Sequence, residues 1–120
     1  MNRILVANTS VAFQRKIAPV EKENNFKFIF AQNGIEGLEL LRKNRIQVVI
    51  SHLVNSLIDD IELMLNIHEI KPQIPVIIIV SKSSDVRKEQ YIKAGAFACI
   101  DEGDSISKIR KYINLALIKN

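Results

Sequence analysis

Few residues of this chain combine reactive chemistry with a setting in which to use it. His52 ends the apolar run in VVISHLVNS (residues 48–56), where β-branched residues give way to Ser51 and then to an Asn-Ser turn signal. An imidazole at the mouth of a buried strand can take up or release a proton near neutrality, because its ordinary pKa is about 6.5. Ser81 follows the run PVIIIV, Asn8 and Thr9 follow RILVA, and Glu102 follows ACID. Each stands just past an apolar stretch. Asp59 and Asp60, in LIDDIEL, are adjacent carboxylates suited to the first turn of a helix, where the macrodipole favours them. His52, His68 and Cys99 are the soft-ligand candidates, but no ligand-type spacing relates them and a single cysteine excludes a multi-thiolate site. The four glycines, Gly34, Gly37, Gly95 and Gly103, form neither GxGxxG nor a P-loop. An enzyme reading therefore lacks both a phosphate cradle and a nucleophile with its base, and no catalytic residue is expected.

Those positions need a scaffold, and two periodicities alternate along the chain. Apolar runs predict strands at Arg3–Ala7, Lys27–Ala31, Gln47–Ser51, Val76–Val80 and Ala98–Asp101. Three of them are nearly continuous in Ile, Val and Leu, as expected of strands covered on both faces. Pro75 is tolerated at the start of the fourth. Asn33 is a plausible N-cap for a helix presenting Ile35, Leu38 and Leu41 on one face. Ser84 could cap a helix over Asp85–Ala94 that Gly95 would end. A last helix starts at Asp104 or Ser105, with Ile106, Ile109, Ile113 and Ala116 as its apolar stripe and Lys108, Arg110 and Lys111 outside it. Ser10–Glu23 and Ile58–Ile70 complete a fivefold strand–helix alternation. Alternation of this kind predicts an α/β fold, a (βα)5 doubly wound parallel sheet with helices on both faces. Sites in such sheets lie beyond the carboxyl ends of the strands.

The bulk numbers agree with one domain over residues 1–120, which carries 48% hydrophobic and 25% charged residues. With no Trp, its core must be aliphatic. The net charge is +4, but the basic residues are scattered among acids, so solvated faces and no direct nucleic-acid contact are expected. The longest apolar run, Pro75–Val80, is far short of the ~20 residues of a membrane helix, and no leader segment is evident. A cytoplasmic location without membrane contact follows as an expectation.

The stretches RILVANTS, AQNGIEGLELL, QVVISHL, IPVIIIVSK and YIKAGAFACI resemble the receiver domains of bacterial response regulators, over essentially all 120 residues. The resemblance implies the flavodoxin-like fold of those domains and a phosphorelay chemistry. In the family, two acids after the first strand and one after the third hold Mg²⁺, and the last accepts a phosphoryl group. A hydroxyl after the fourth strand and a Lys after the fifth contact that group, and an aromatic residue on the fifth strand reads it out. Here the acid pair falls on Asn8 and Thr9, the acceptor on His52, the Lys on Glu102 and the aromatic on Cys99; only the hydroxyl survives, as Ser81. Mg²⁺ requires hard oxygen ligands, chiefly carboxylates, so loss of the metal site and of phosphotransfer is expected, with no cofactor.

Three readings of His52 stay open: a half-buried ring bonded to Ser81 or a backbone carbonyl, a fixed pair with Glu102, or a pH- or phosphohistidine-based switch. Metal rescue by Asp59 is a further alternative. The expected role is an atypical receiver acting as a phosphorylation-independent protein-interaction module in two-component signalling. Its contact surface would carry Lys88, Ile92, Arg110 and Lys111 on the fourth and fifth helices. The alternative is the regulatory part of a larger DNA-binding regulator. A protein partner is expected and a homodimer is open, although Phe97, Ala98 and Tyr112 occupy the positions whose charges mediate pairing in one large receiver subfamily.

Overall fold

The computed structural model describes residues 1–8, 10–23, 25–52, 59–81 and 85–119. Ten elements alternate along the chain: β1 (Asn2–Asn8), α1 (Val11–Glu23), β2 (Phe26–Ala31), α2 (Gly34–Lys43), β3 (Val48–His52), α3 (Asp60–Ile70), β4 (Val76–Val80), α4 (Asp85–Lys93), β5 (Ala98–Asp101) and α5 (Ile106–Lys119). All strand pairs are parallel, in the order β2-β1-β3-β4-β5. The doubly wound α/β architecture expected from the sequence is therefore the observed one. Strand ends differ from expectation by a residue at three of the five strands, and β3 runs one residue further, to include His52.

The side-chain period of two divides the strands between two cores. Ile4, Val6, Val48, Ile50, Ile77 and Ile79 pack with Phe13 and Ile17 of α1 and Ile109, Ile113 and Ala116 of α5. Leu5, Ala7, Val49, Val76 and Ile78 pack on the other face with Leu41 of α2, Leu63, Met64 and Ile67 of α3, and Tyr91 of α4. Both faces of the central strands are thus buried, which explains their unbroken apolar runs.

Asn33 caps α2 as expected, its side chain accepting from the Glu36 N–H. The face is a correction: Ile35 is exposed, while Gly34, Gly37 and Leu41 are buried. Gly37 faces Ala7 and Ala31 of the sheet, where an added Cβ would sit in ordinary contact at 3.7 Å from their Cβ atoms, and Ile35 lies on the opposite, solvent side of the helix. Gly95 ends α4 at φ +114°, a conformation L side chains rarely adopt. Ser84, the expected cap of that helix, lies outside the described residues. No helix among the described residues is long and apolar enough to cross a membrane.

Candidate functional site

Parallel pairing brings the ends of the strands together at one edge of the sheet. Asn8 is in register with His52, and Val80 with Asp101, while the Glu102 N–H extends the ladder to the Val80 carbonyl at 2.7 Å. β1 lies between β2 and β3, so the chain winds outward from it in both directions. That switch in order opens a crevice beyond the carboxyl ends of the central strands. His52 and Glu102 meet there, whereas Thr9 lies outside the described residues and Asn8 is described by its backbone alone.

His52 is only 2% exposed, not half-buried as the bland sequence reading has it. The Phe13 ring of α1 covers it at 4.8 Å between centroids, tilted by 55°. Its Nε2 faces Glu102 Oε2 at 3.6 Å, an ionic approach longer than a hydrogen bond. Burial pushes the imidazole below its ordinary pKa. The carboxylates of Glu102 and Asp60 pull it back up, and the Lys16 ammonium pushes it down. Neutral imidazole beside a carboxylate is the resting arrangement near pH ~7. Ser81 is exposed at the end of β4.

The acidic pair proves structural. Asp59 is the N-cap of α3 and accepts from the Glu62 N–H at 2.8 Å. Asp60 accepts from the buried Ser51 hydroxyl at 3.0 Å and from the Tyr91 hydroxyl at 3.4 Å, tying β3, α3 and α4 together. His68 is engaged elsewhere, its Nε2 donating to the Ile74 carbonyl at 3.0 Å. Among the described residues no three His, Cys, Asp or Glu side chains assemble into a metal-holding group.

One residue of this site escaped the sequence reading. Lys16 of α1 donates from Nζ to the carbonyls of Glu102 and Asp104, at 2.5 and 2.7 Å, across 86 and 88 residues of sequence. Nothing in its spacing marks it. It fastens the β5–α5 loop, which Asp104 closes from within: its Oδ2 accepts the Asp101 N–H at 3.0 Å and pairs with Lys108 at 3.1 Å. The bond to Lys108 is the main reason the Asp104 carboxyl titrates below its ordinary range.

The expected contact surface is only partly available. Ile92 is 48% exposed and Lys111 is exposed, but Arg110 is half-buried. Lys88 pairs with Asp101 at 3.2 Å, a bond that raises its ammonium pKa. Lys88, Glu89, Ile92 and Lys93 border a shallow cleft of about 420 Å³ on α4. Cys99 is half-buried on β5.

Residues 4–114 match the family profile of the response regulator receiver domain. Among solved structures, the receiver domain of Francisella response regulator 1452 superposes with a TM-score of 0.90 at 23% identity, covering 99% of this chain and 98% of that one. The Vibrio cholerae chemotaxis protein CheY4 gives 0.87 at 17% identity, over 98% of this chain and 99% of that one. A DNA-binding response regulator of the LuxR family from Staphylococcus aureus gives 0.85 at 18% identity, over 100% of both chains. At these identities the likeness to the solved structures is one of fold. No curated protein matches the chain in sequence.

Proposed function

The chain belongs to the response regulator receiver domains of two-component signalling, and from that premise we propose that it works as a protein-interaction module without phosphorylation. The supporting observation is the pair at the crevice. Where the family carries an acceptor carboxylate and a Lys, this chain sets a buried neutral imidazole and a carboxylate 3.6 Å apart. A phosphoryl group entering the crevice would meet the Glu102 carboxylate instead of an ammonium, so charge developing in transfer would be opposed.

The donor set does not suit Mg²⁺ either. The acid-pair positions hold Asn8 and Thr9, the acceptor position holds a neutral ring, and Asp60 is committed to Ser51 and Tyr91. Lys16 meanwhile spends its ammonium on two loop carbonyls. The β5–α5 loop is thereby fixed in one arrangement, and the adjoining α4–β5–α5 surface is presented constitutively to a protein partner. Ile92 and Lys111 are its exposed contacts.

Intact mass in native, near-neutral buffer after incubation with acetyl phosphate and Mg²⁺ tests this reading. The expected result is no phosphoryl adduct. An adduct that persists in His52→Ala would move the acceptor to Asp59 or Asp60. One that disappears with His52 would make this a histidine acceptor and overturn the proposal.

A further inference from the structure

The charge of the chain is scattered in sequence but not in space. The close pair His52–Glu102 and the ion pairs Lys88–Asp101 and Lys108–Asp104 all lie at the crevice end, as do the α3 cap Asp59 and the first-turn acid Glu36 of α2. At the opposite end, where the strands begin, folding gathers Arg3 from β1, Lys27 from β2, Arg42 and Lys43 from the last turn of α2, Arg45 from the loop after it, and Lys71 at the C-cap of α3. Five of these are exposed and Lys71 is half-buried. None is ion-paired among the described residues. Of the acids at that end, Glu21 accepts the Phe28 N–H and Glu69 is exposed on α3.

Helix dipoles account for half of this cluster. Cations are favoured near helix C-termini, which covers Arg42, Lys43 and Lys71. Arg3, Lys27 and Arg45 lie on strand starts and a loop, where no dipole calls for them. Arg3 and Lys27 are moreover partners in the β1–β2 register, so two like charges stand side by side on neighbouring strands. Such an arrangement costs stability, and a bound polyanion would relieve it.

Beside these cations lies a cleft of about 420 Å³ lined by Asn2, Arg45, Ile46, Gln47, Lys71 and Leu117. Asn2 and Gln47 add amide donors to the two cations, while Ile46 is 5% exposed and offers the cleft little apolar surface. The exposed apolar side chains at this end are Met1, next to Asn2 and 78% exposed, and Ile118, next to the cleft-lining Leu117 and 81% exposed. These are single side chains and not the continuous apolar face by which a helix settles into a bilayer, and no aromatic ring lines the cleft to stack on a base.

We propose that this strand-start end is a contact surface for the phosphodiester backbone of a nucleic acid, bound through its phosphates and without sequence preference. The surface is independent of the phosphoryl question at the crevice. It also revises the expectation of no nucleic-acid contact, which rested on scatter along the chain.

Fluorescence anisotropy with a labelled, mixed-sequence single-stranded oligonucleotide tests the surface. Engagement of about five phosphates predicts that affinity falls roughly a hundredfold between about 50 and about 200 mM salt. Arg45→Glu and Lys71→Glu should each weaken binding and reduce the steepness of the log–log salt dependence by about one. Arg15→Glu, at an exposed position of α1, makes the same change in net charge and should leave the slope intact; circular dichroism verifies that each variant is folded. Equal weakening by Arg15→Glu would reduce the effect to net charge and overturn the proposal. So would the absence of oligonucleotide binding, or binding to anionic phosphatidylserine vesicles in its place.

Discussion

His52 is an ionisable ring held where ionisation is costly. Phe13 and the strand interior remove its water, and Lys16 repels a charged ring, while Glu102 and Asp60 attract one. Burial prevails, so the folded pKa lies below the ordinary 6.5. The folded protein then binds fewer protons than the unfolded chain, and its stability must fall as pH is lowered. The contribution of His52 is complete above about pH 6.5 and is lost as pH drops through the depressed folded value. Urea unfolding midpoints should therefore decline between about pH 7 and about pH 5, and His52→Gln should flatten that decline. Asp104, also depressed, acts in a lower window, because its ordinary value is 3.8. A wild-type midpoint that holds level or rises on acidification would show that Glu102 and Asp60 outweigh burial. The identity of this residue was legible as a replaced acceptor, but its burial was not. Burial depends on Phe13, which lies on a helix 39 positions away in the chain and has no sequence relation to it.

Among elements, the long-range tie from α1 to the β5–α5 loop sets how the crevice responds. The Lys16 ammonium bonds two carbonyls whose segment also carries Asp101 and Asp104, each in turn paired to a Lys. Lys16→Met keeps the aliphatic stem and removes both bonds. It should cost about 1–3 kcal/mol, by the usual worth of hydrogen bonds to a charged group. The Asp104 amide, which donates to the Asp101 carbonyl, should exchange faster with solvent. Unchanged stability and unchanged exchange would remove Lys16 from the account of a fixed loop. The elements themselves were readable from periodicity: β4 and β5 have the bounds that the apolar runs predict, and Asn33 and Gly95 punctuate their helices as expected. The errors share a cause. Ile35 obeyed helical spacing, yet the helix turns Gly37 and Leu41 to the sheet and Ile35 to solvent, because the buried face depends on what the sheet presents, here Ala7 and Ala31, which helical spacing does not carry. Lys16 was invisible because its partners are backbone carbonyls, which any sequence supplies.

At the scale of the whole molecule, charge is sorted by the direction of the strands. Helices begin at the crevice end and finish at the strand-start end. α2 and α3 carry acids in their first turns while α1 and α5 carry none, but Lys22, Arg42, Lys43 and Lys93 all stand in last turns, so bases gather at the strand-start end. The net charge of +4 conceals this polarity. Arg3 and Lys27 exceed what the dipoles reward, and their register opposition lets stability be weighed against binding at a single position. Lys27→Glu would replace repulsion with an attractive cross-strand pair, stabilising the fold by about 0.2–1 kcal/mol at low ionic strength. At about 1 M salt the screening length shrinks to ~3 Å and the gain should nearly vanish. The same substitution removes a phosphate-facing cation and should weaken oligonucleotide binding. Denaturant midpoints at two salt concentrations, read beside anisotropy on one protein sample, decide the matter. A variant that is more stable and binds less identifies the clustered cations as a cost borne for an anionic partner. A variant with no gain in stability at low salt would mean that Arg3 and Lys27 already hold their charges apart in solvent, and the basic pole would then need no ligand to explain it.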